Sequence, residues 1–83
     1  MKYCVKIEVS LKPGHTDPEG NTTQRLLKEL GYNVDSVSVS KIYNVQIESQ
    51  NSREAKIKAE EMAKRLLANP TKDNYTIKVE EQK

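Results

Sequence analysis

Leu11-Lys12-Pro13-Gly14-His15-Thr16-Asp17-Pro18-Glu19-Gly20 is the stretch on which the fold turns, because one strand ends and one helix begins within it. Pro13 and Gly14 stop the strand: proline lacks a ladder donor, and glycine accepts positive φ. Asp17 precedes Pro18, and a residue before proline is pushed out of the α region. Asp17 therefore reads as the N-cap and Pro18 as the first helical residue. Thr16 with Glu19 fits a capping box one residue earlier, a competing register. Taken alone, the stretch is explained as a well-made loop between two elements.

Upstream, Tyr3, Val5, Ile7, Val9 and Leu11 occupy odd positions, and Lys2, Cys4, Lys6, Glu8, Ser10 and Lys12 the even ones. Period-two alternation of this kind predicts a strand over 2–12 with one buried and one wet face. Downstream, Thr23, Leu26, Leu27 and Leu30 follow the 3.6-residue period and predict a helix over 18–30, closed by Gly31 in the left-handed region. Its first turn, rich in Gly20, Asn21, Thr22 and Thr23, is a poor helix former and depends on capping and packing.

Residues 34–48 are strand-like throughout, with Val37, Val39, Tyr43, Val45 and Ile47 on odd positions. Ser40-Lys41 is the one plausible turning point, a weak one, so either a tight turn or a bend in one long strand sits there. We favour two strands, 34–40 and 42–48. A second helix is predicted over 52–68. Asn51 and Glu54 make its capping pair; Ala55, Ala59, Met62, Ala63 and Leu66 form its apolar stripe. Glu54–Lys58, Glu60–Lys64 and Glu61–Arg65 have the favourable i,i+4 order. Asn69-Pro70 stops this helix, and Tyr75, Ile77 and Val79 mark a last strand over 74–80. The order β-α-β-β-α-β over a single domain, residues 1–83, predicts an α+β fold of the split βαβ, ferredoxin-like type, an antiparallel sheet with two helices on one face.

The 83-residue chain can build only a thin core, and it has neither a disulfide pair nor a metal-ligand set, which points to a partner surface. Cys4 is its only cysteine, in keeping with a reducing cytoplasm. The alternating N-terminus contains no apolar core of a signal peptide, and no apolar run approaches the length of a membrane span. Fourteen basic residues are interleaved with 12 acidic ones, for a net charge of +2, so no basic stripe suits nucleic acid. RNA modules of this fold stack bases on exposed aromatics of the central strands. This chain has no Phe and no Trp, and Tyr3, Tyr43 and Tyr75 have the parity of the buried face. A catalytic constellation is equally hard to assemble: His15 stands alone on a loop, Cys4 lies on a strand, and Gly14, Gly20 and Gly31 are scattered. The chain by itself is expected not to be a catalyst.

Leu11-Lys12-Pro13-Gly14 followed by Asp17-Pro18-Glu19-Gly20, Leu30-Gly31-Tyr32, and Leu66-Leu67-Ala68-Asn69-Pro70 followed by Asp73 and Tyr75 resemble the PurS-type small subunit of phosphoribosylformylglycinamidine (FGAM) synthase. The likeness spans essentially the whole chain. Ser40 departs from it, since the family commonly has glycine before the residue matching Lys41. The resemblance implies a subunit of a glutamine-dependent ligase complex in de novo purine biosynthesis, which converts formylglycinamide ribonucleotide to FGAM with ATP and glutamine. It further implies no catalytic, cofactor or metal residue in this chain. A glutaminase subunit would release ammonia, an ATP-dependent synthetase subunit would use ATP, and the small subunit would bridge them and assist ammonia transfer. A cytoplasmic homodimer or higher homo-oligomer is implied as well. The expected partner-contact residues are Lys12, Pro13, Gly14, Thr16, Asp17 and Pro18 in the first loop and Asn69 and Pro70 in the second, although capping and strand-stopping also explain many of them. The alternative is a stand-alone ferredoxin-like regulatory domain that senses a small molecule.

Overall fold

The structure, a computed structural model, describes residues 1–82. Alternation in the N-terminal stretch produces β1 (Lys2–Leu11), and β1 becomes the centre of an antiparallel sheet between β2 (Lys41–Glu48) and β3 (Asp73–Gln82). Register keeps like faces together: Val5 lies opposite Val45 and Val79, and Ile7 opposite Tyr43 and Ile77. Tyr3, Val5, Ile7 and Val9 are buried on one face, and Lys6 and Glu8 are exposed on the other. Cys4 is the exception on that second face, buried and unpaired between Gln46 and Glu80.

Helix α2 (Ser52–Met62) covers the apolar face over β1 and β3, with Asn51 Oδ1 accepting from the Glu54 N–H at 2.9 Å as its N-cap. Ala55, Ala59 and Ala63 point into the sheet and are fully buried, because a methyl group lets the helix lie close against the β1 valines and isoleucine. The predicted i,i+4 ion pairs do not close among the described residues; Lys58 instead donates to the Glu48 carbonyl at 3.2 Å. Continuation of the helix as a regular α-helix to 68 is a second difference. Ala63–Leu67 forms a π turn, with the Ala68 N–H bonded to the Ala63 carbonyl at 2.9 Å, and Ala68 is already extended. The extra residue in that turn rotates Leu66 off the buried stripe to 83% exposure and brings Leu67 against the core.

Helix α1 (Pro18–Glu29) ends as predicted, with Gly31 at φ 99 and a Schellman pair of bonds, Gly31 N–H to Lys28 O at 3.0 Å and Tyr32 N–H to Leu27 O at 3.1 Å. The expected strand over 34–40 does not form, and Ser40-Lys41 is no hairpin turn: the chain runs directly into β2, and among the described residues only Gly14 and Gly31 have positive φ. A strand needs a ladder partner, and the neighbour of 34–40 is α1. Gln24 Nε2 donates to the Asp35 carbonyl at 2.6 Å, and Asp17 Oδ2 accepts from the Val39 N–H at 2.8 Å. Residues 17–40 thus form an arm, α1 with its return segment alongside, and no α1 side chain joins the buried core. The molecule measures 50 × 30 × 14 Å.

Candidate functional site

The two loops singled out by their punctuation meet at one end of the sheet. The Lys12 N–H donates to the Lys72 carbonyl at 2.7 Å, extending the β1–β3 ladder by one rung, and the Lys12 ammonium donates to the Pro70 carbonyl at 3.0 Å. Lys12 is therefore engaged within the chain, whereas Pro13, Gly14 and Thr16 project as an exposed tip. Gly14 takes φ 91, the left-handed conformation its position demands.

Asn69 and Asp73 organise the second loop reciprocally. The Asn69 N–H donates to Asp73 Oδ2 at 2.9 Å, and Asn69 Oδ1 accepts from the Thr71 N–H at 2.9 Å. The Asn69 carbonyl also accepts from the Asp73 N–H at 2.8 Å. Pro70 sits exposed at the tip of this closed turn, its carbonyl turned to Lys12. Between this end and the arm lies an open cleft of about 430 Å³, lined among others by Ser10, His15, Asp17, Lys41 and Lys72. Its walls carry both signs of charge, and among the described residues no group of three His, Cys, Asp or Glu side chains is placed to hold a metal ion.

Asp17 is the structural hinge of the cleft. Its register is settled as the N-cap, with Oδ1 accepting from the Gly20 N–H at 2.9 Å and Pro18 at the first helical position. Its other oxygen takes the Val39 N–H, so one carboxylate fastens both rails of the arm. The Gly20 bond, then the Val39 bond, hold its pKa below the ordinary aspartate value, against a partial opposing effect of desolvation. A carboxyl depressed in the folded state contributes stability above its unfolded pKa, and that stability is lost as pH falls through the folded value. On acid titration by NMR, Asp17 is expected to protonate below ordinary aspartates, with the Gly20 and Val39 amide shifts following the same curve. A midpoint at or above the ordinary value contradicts the clamp.

Two features of the site lay outside the sequence reading. Val39 as the second partner of Asp17 has no local signal, since the pair is 22 residues apart. Gly20 reads as a poor helix former, yet it is buried, and a Cβ there would strike the Val37 carbonyl and stand 2.9 Å from Asp17 Oδ2. A glycine just after the cap, in a helix whose first turn is already weak, was the available hint.

Fold and site define a small α+β module whose distinctive parts are surface loops and incompletely covered apolar faces. The family model for PurS, phosphoribosylformylglycinamidine (FGAM) synthase, matches residues 4–81. The PurS subunit of Methanocaldococcus jannaschii is 43% identical over 79 residues, covering 94% of this chain and 95% of that one. The structure of Thermus thermophilus PurS superimposes with a TM-score of 0.90 at 33% identity over 100% of both chains. The structure of PurLQS from Thermotoga maritima contains a chain with a TM-score of 0.88 at 25% identity, over 96% of this chain and 99% of that one. This chain belongs to the PurS family.

Proposed function

We infer that this chain is the small, PurS-type subunit of FGAM synthase and works in purine biosynthesis as part of a complex. The observation that carries this reading is likeness along the whole chain to a subunit present in the PurLQS complex of Thermotoga maritima. Among the described residues no helix is long and apolar enough to cross a membrane, which agrees with work in the cytoplasm.

The finer reading is that it bridges the glutaminase and synthetase subunits and shelters ammonia passing between them. Ammonia must stay unprotonated and away from bulk water to act as a nucleophile, and a polypeptide that closes a seam serves that need without reacting side chains. Glutamine and ATP are then handled by the partners, with no cofactor held here. The tip of Pro13, Gly14 and Thr16 and the Asn69-Pro70 turn, joined through Lys12, form one surface suited to a larger partner, and Asp17 and Pro18 hold the tip at its angle to the arm.

Reconstitution from purified subunits tests the role. Glutamine-dependent FGAM formation is expected only when all three components are present, and full activity without this chain refutes it. Contact through the loop tip is tested separately with Pro13→Arg/Thr16→Trp, two exposed positions that leave the internal Lys12 bond intact. The variant is expected to co-purify with the synthetase at least about tenfold less well, the equivalent of roughly 1.4 kcal/mol, with an unchanged melting temperature. Unaltered recovery removes these residues from the interface.

A further inference from the structure

We propose that the outer edge of β3 receives an extended segment of a larger subunit of the synthase complex, paired as a further strand beside Tyr75, Ile77 and Val79. The inference rests on the subunit role argued above and locates where the partner adds its backbone to this chain.

The first observation is the direction of the backbone groups. In an antiparallel pair, opposite residues alternate between those that exchange hydrogen bonds and those that do not. The Lys12 N–H donates to the Lys72 carbonyl at 2.7 Å, and this rung sets the phase of the β1–β3 ladder: the even residues of the two strands bond one another. The odd residues of β1 then turn to β2, and the bond from the Ser49 N–H to the Met1 carbonyl at 2.9 Å obeys the same parity. Tyr75, Ile77 and Val79 therefore direct N–H and C=O away from the sheet. Among the described residues no turn, cap or side-chain bond reaches these groups, whereas the Asp73 N–H just before them is closed by the Asn69 carbonyl at 2.8 Å.

The second observation is that this edge is unguarded. Sheet proteins blunt an edge with proline, a bulge or a lysine laid across it. β3 contains no proline, and its register with β1 runs unbroken from Leu11 opposite Asp73 to Lys2 opposite Gln82. The outer edge of β2, by contrast, has its Glu48 carbonyl taken by Lys58 Nζ at 3.2 Å. A long, regular edge is a template for one more strand, whose main-chain bonds give affinity and whose alternate side chains give specificity. Tyr75, Ile77 and Val79 are half-buried on the α2 face, and Thr76, Lys78 and Glu80 are exposed on the other. The matching segment alternates apolar and polar residues.

Charge narrows its polar side. Lys6 and Lys78 lie directly opposite each other, and both ammoniums share one oxygen, Glu80 Oε1, at 3.8 and 4.0 Å. Like charges directly opposite on a sheet are destabilising. One carboxylate between two ammoniums leaves positive charge beside the open edge, and an Asp or Glu of the incoming segment next to Lys78 supplies the second anion. The edge also continues from the Asn69-Pro70 turn, because β3 starts at Asp73, so a partner held at the loops is led onto it.

Chemical synthesis of the full chain with N-methyl groups on Ile77 and Val79 tests the pairing, since these remove outward N–H groups and keep both side chains and the β1 ladder. Lys78→Glu, at a side chain 76% exposed, tests the charge. Each variant is expected to assemble with purified synthetase and glutaminase subunits at least about tenfold less well, with the melting temperature of the free chain unchanged. Hydrogen exchange reads the edge directly. In the free chain the Ile77 and Val79 amides are expected to exchange faster than those of Thr76 and Lys78, and in the complex to slow at least about tenfold. Assembly unweakened by either variant, or a complex in which the Ile77 and Val79 amides still exchange fast, overturns the edge pairing and leaves the subunit role standing. Failure of the native chain to assemble at all overturns both. Protection of those amides in the chain alone would place a second copy on the edge and equally overturn the proposal.

Discussion

Ile7→Ala is expected to cost about 3 kcal/mol of folding stability, within the ~2–5 kcal/mol range for removing a buried isoleucine side chain. Ile7 has no exposed surface and sits on the central strand between Tyr43 and Ile77. The helix above it presents alanines, whose methyl groups cannot swing into the space left behind, so the cavity persists. A domain of this length has roughly 4–12 kcal/mol in total, and each kcal/mol moves the melting temperature of a small domain by ~4–8 °C. Calorimetry should therefore record a fall of roughly 10–25 °C. Ile42→Ala is the control: Ile42 is 58% exposed on the opposite face of β2, and truncation there should cost less than about 1 kcal/mol. Equal losses at the two positions would mean that the sheet does not bury the face assigned here.

Gly20→Ala is the second large effect, and its sign distinguishes local propensity from tertiary structure. Helix propensity alone favours alanine over glycine by about 1 kcal/mol inside a helix. Here the new methyl group would collide with the Val37 carbonyl, a backbone atom, and crowd the Asp17 carboxylate. The return segment must move off α1, and the Asp17 bond to Val39 goes with it. A loss of ~1–3 kcal/mol is expected for such overpacking, confined to the arm because no α1 residue shares the core. Native-state hydrogen exchange should show the Val39 amide exchanging roughly 5- to 150-fold faster, while amides of β1 hold their protection. Slower exchange at Val39 would show that propensity outweighs the close approach.

Local chemistry carried much of this protein in plain sight. Alternation in 2–11, the Asp17-Pro18 start, the Gly31 stop, the Asn51 cap and the Asn69-Pro70 break each act within a few residues, and each is found where its residue types require. Gly14 with Pro13 and the paired motifs around Asp17 and Asn69 were enough to indicate the family, because caps and turns leave spaced, recognisable residues. The misread segments are those whose state depends on a neighbour. Val37 and Val39 have strand parity, yet a strand needs a second strand, and the chain offers them a helix and a carboxylate instead. Leu66 has helical parity, yet one extra residue in the turn after Met62 directs it to solvent.

The sequence by itself determined where β1 and both helices start, where α1 stops, which face of β1 is apolar and that the antiparallel α+β class follows, since these depend on steric and hydrogen-bonding preferences of adjacent residues. Only the tertiary structure decided that β1 lies central, that Lys12 ties the two loops through the Pro70 carbonyl, and that α1 stands out as an arm clamped by Asp17. Those outcomes join residues as many as 58 positions apart, and pairing over such separations is selected by the packing of the whole chain rather than by any local preference.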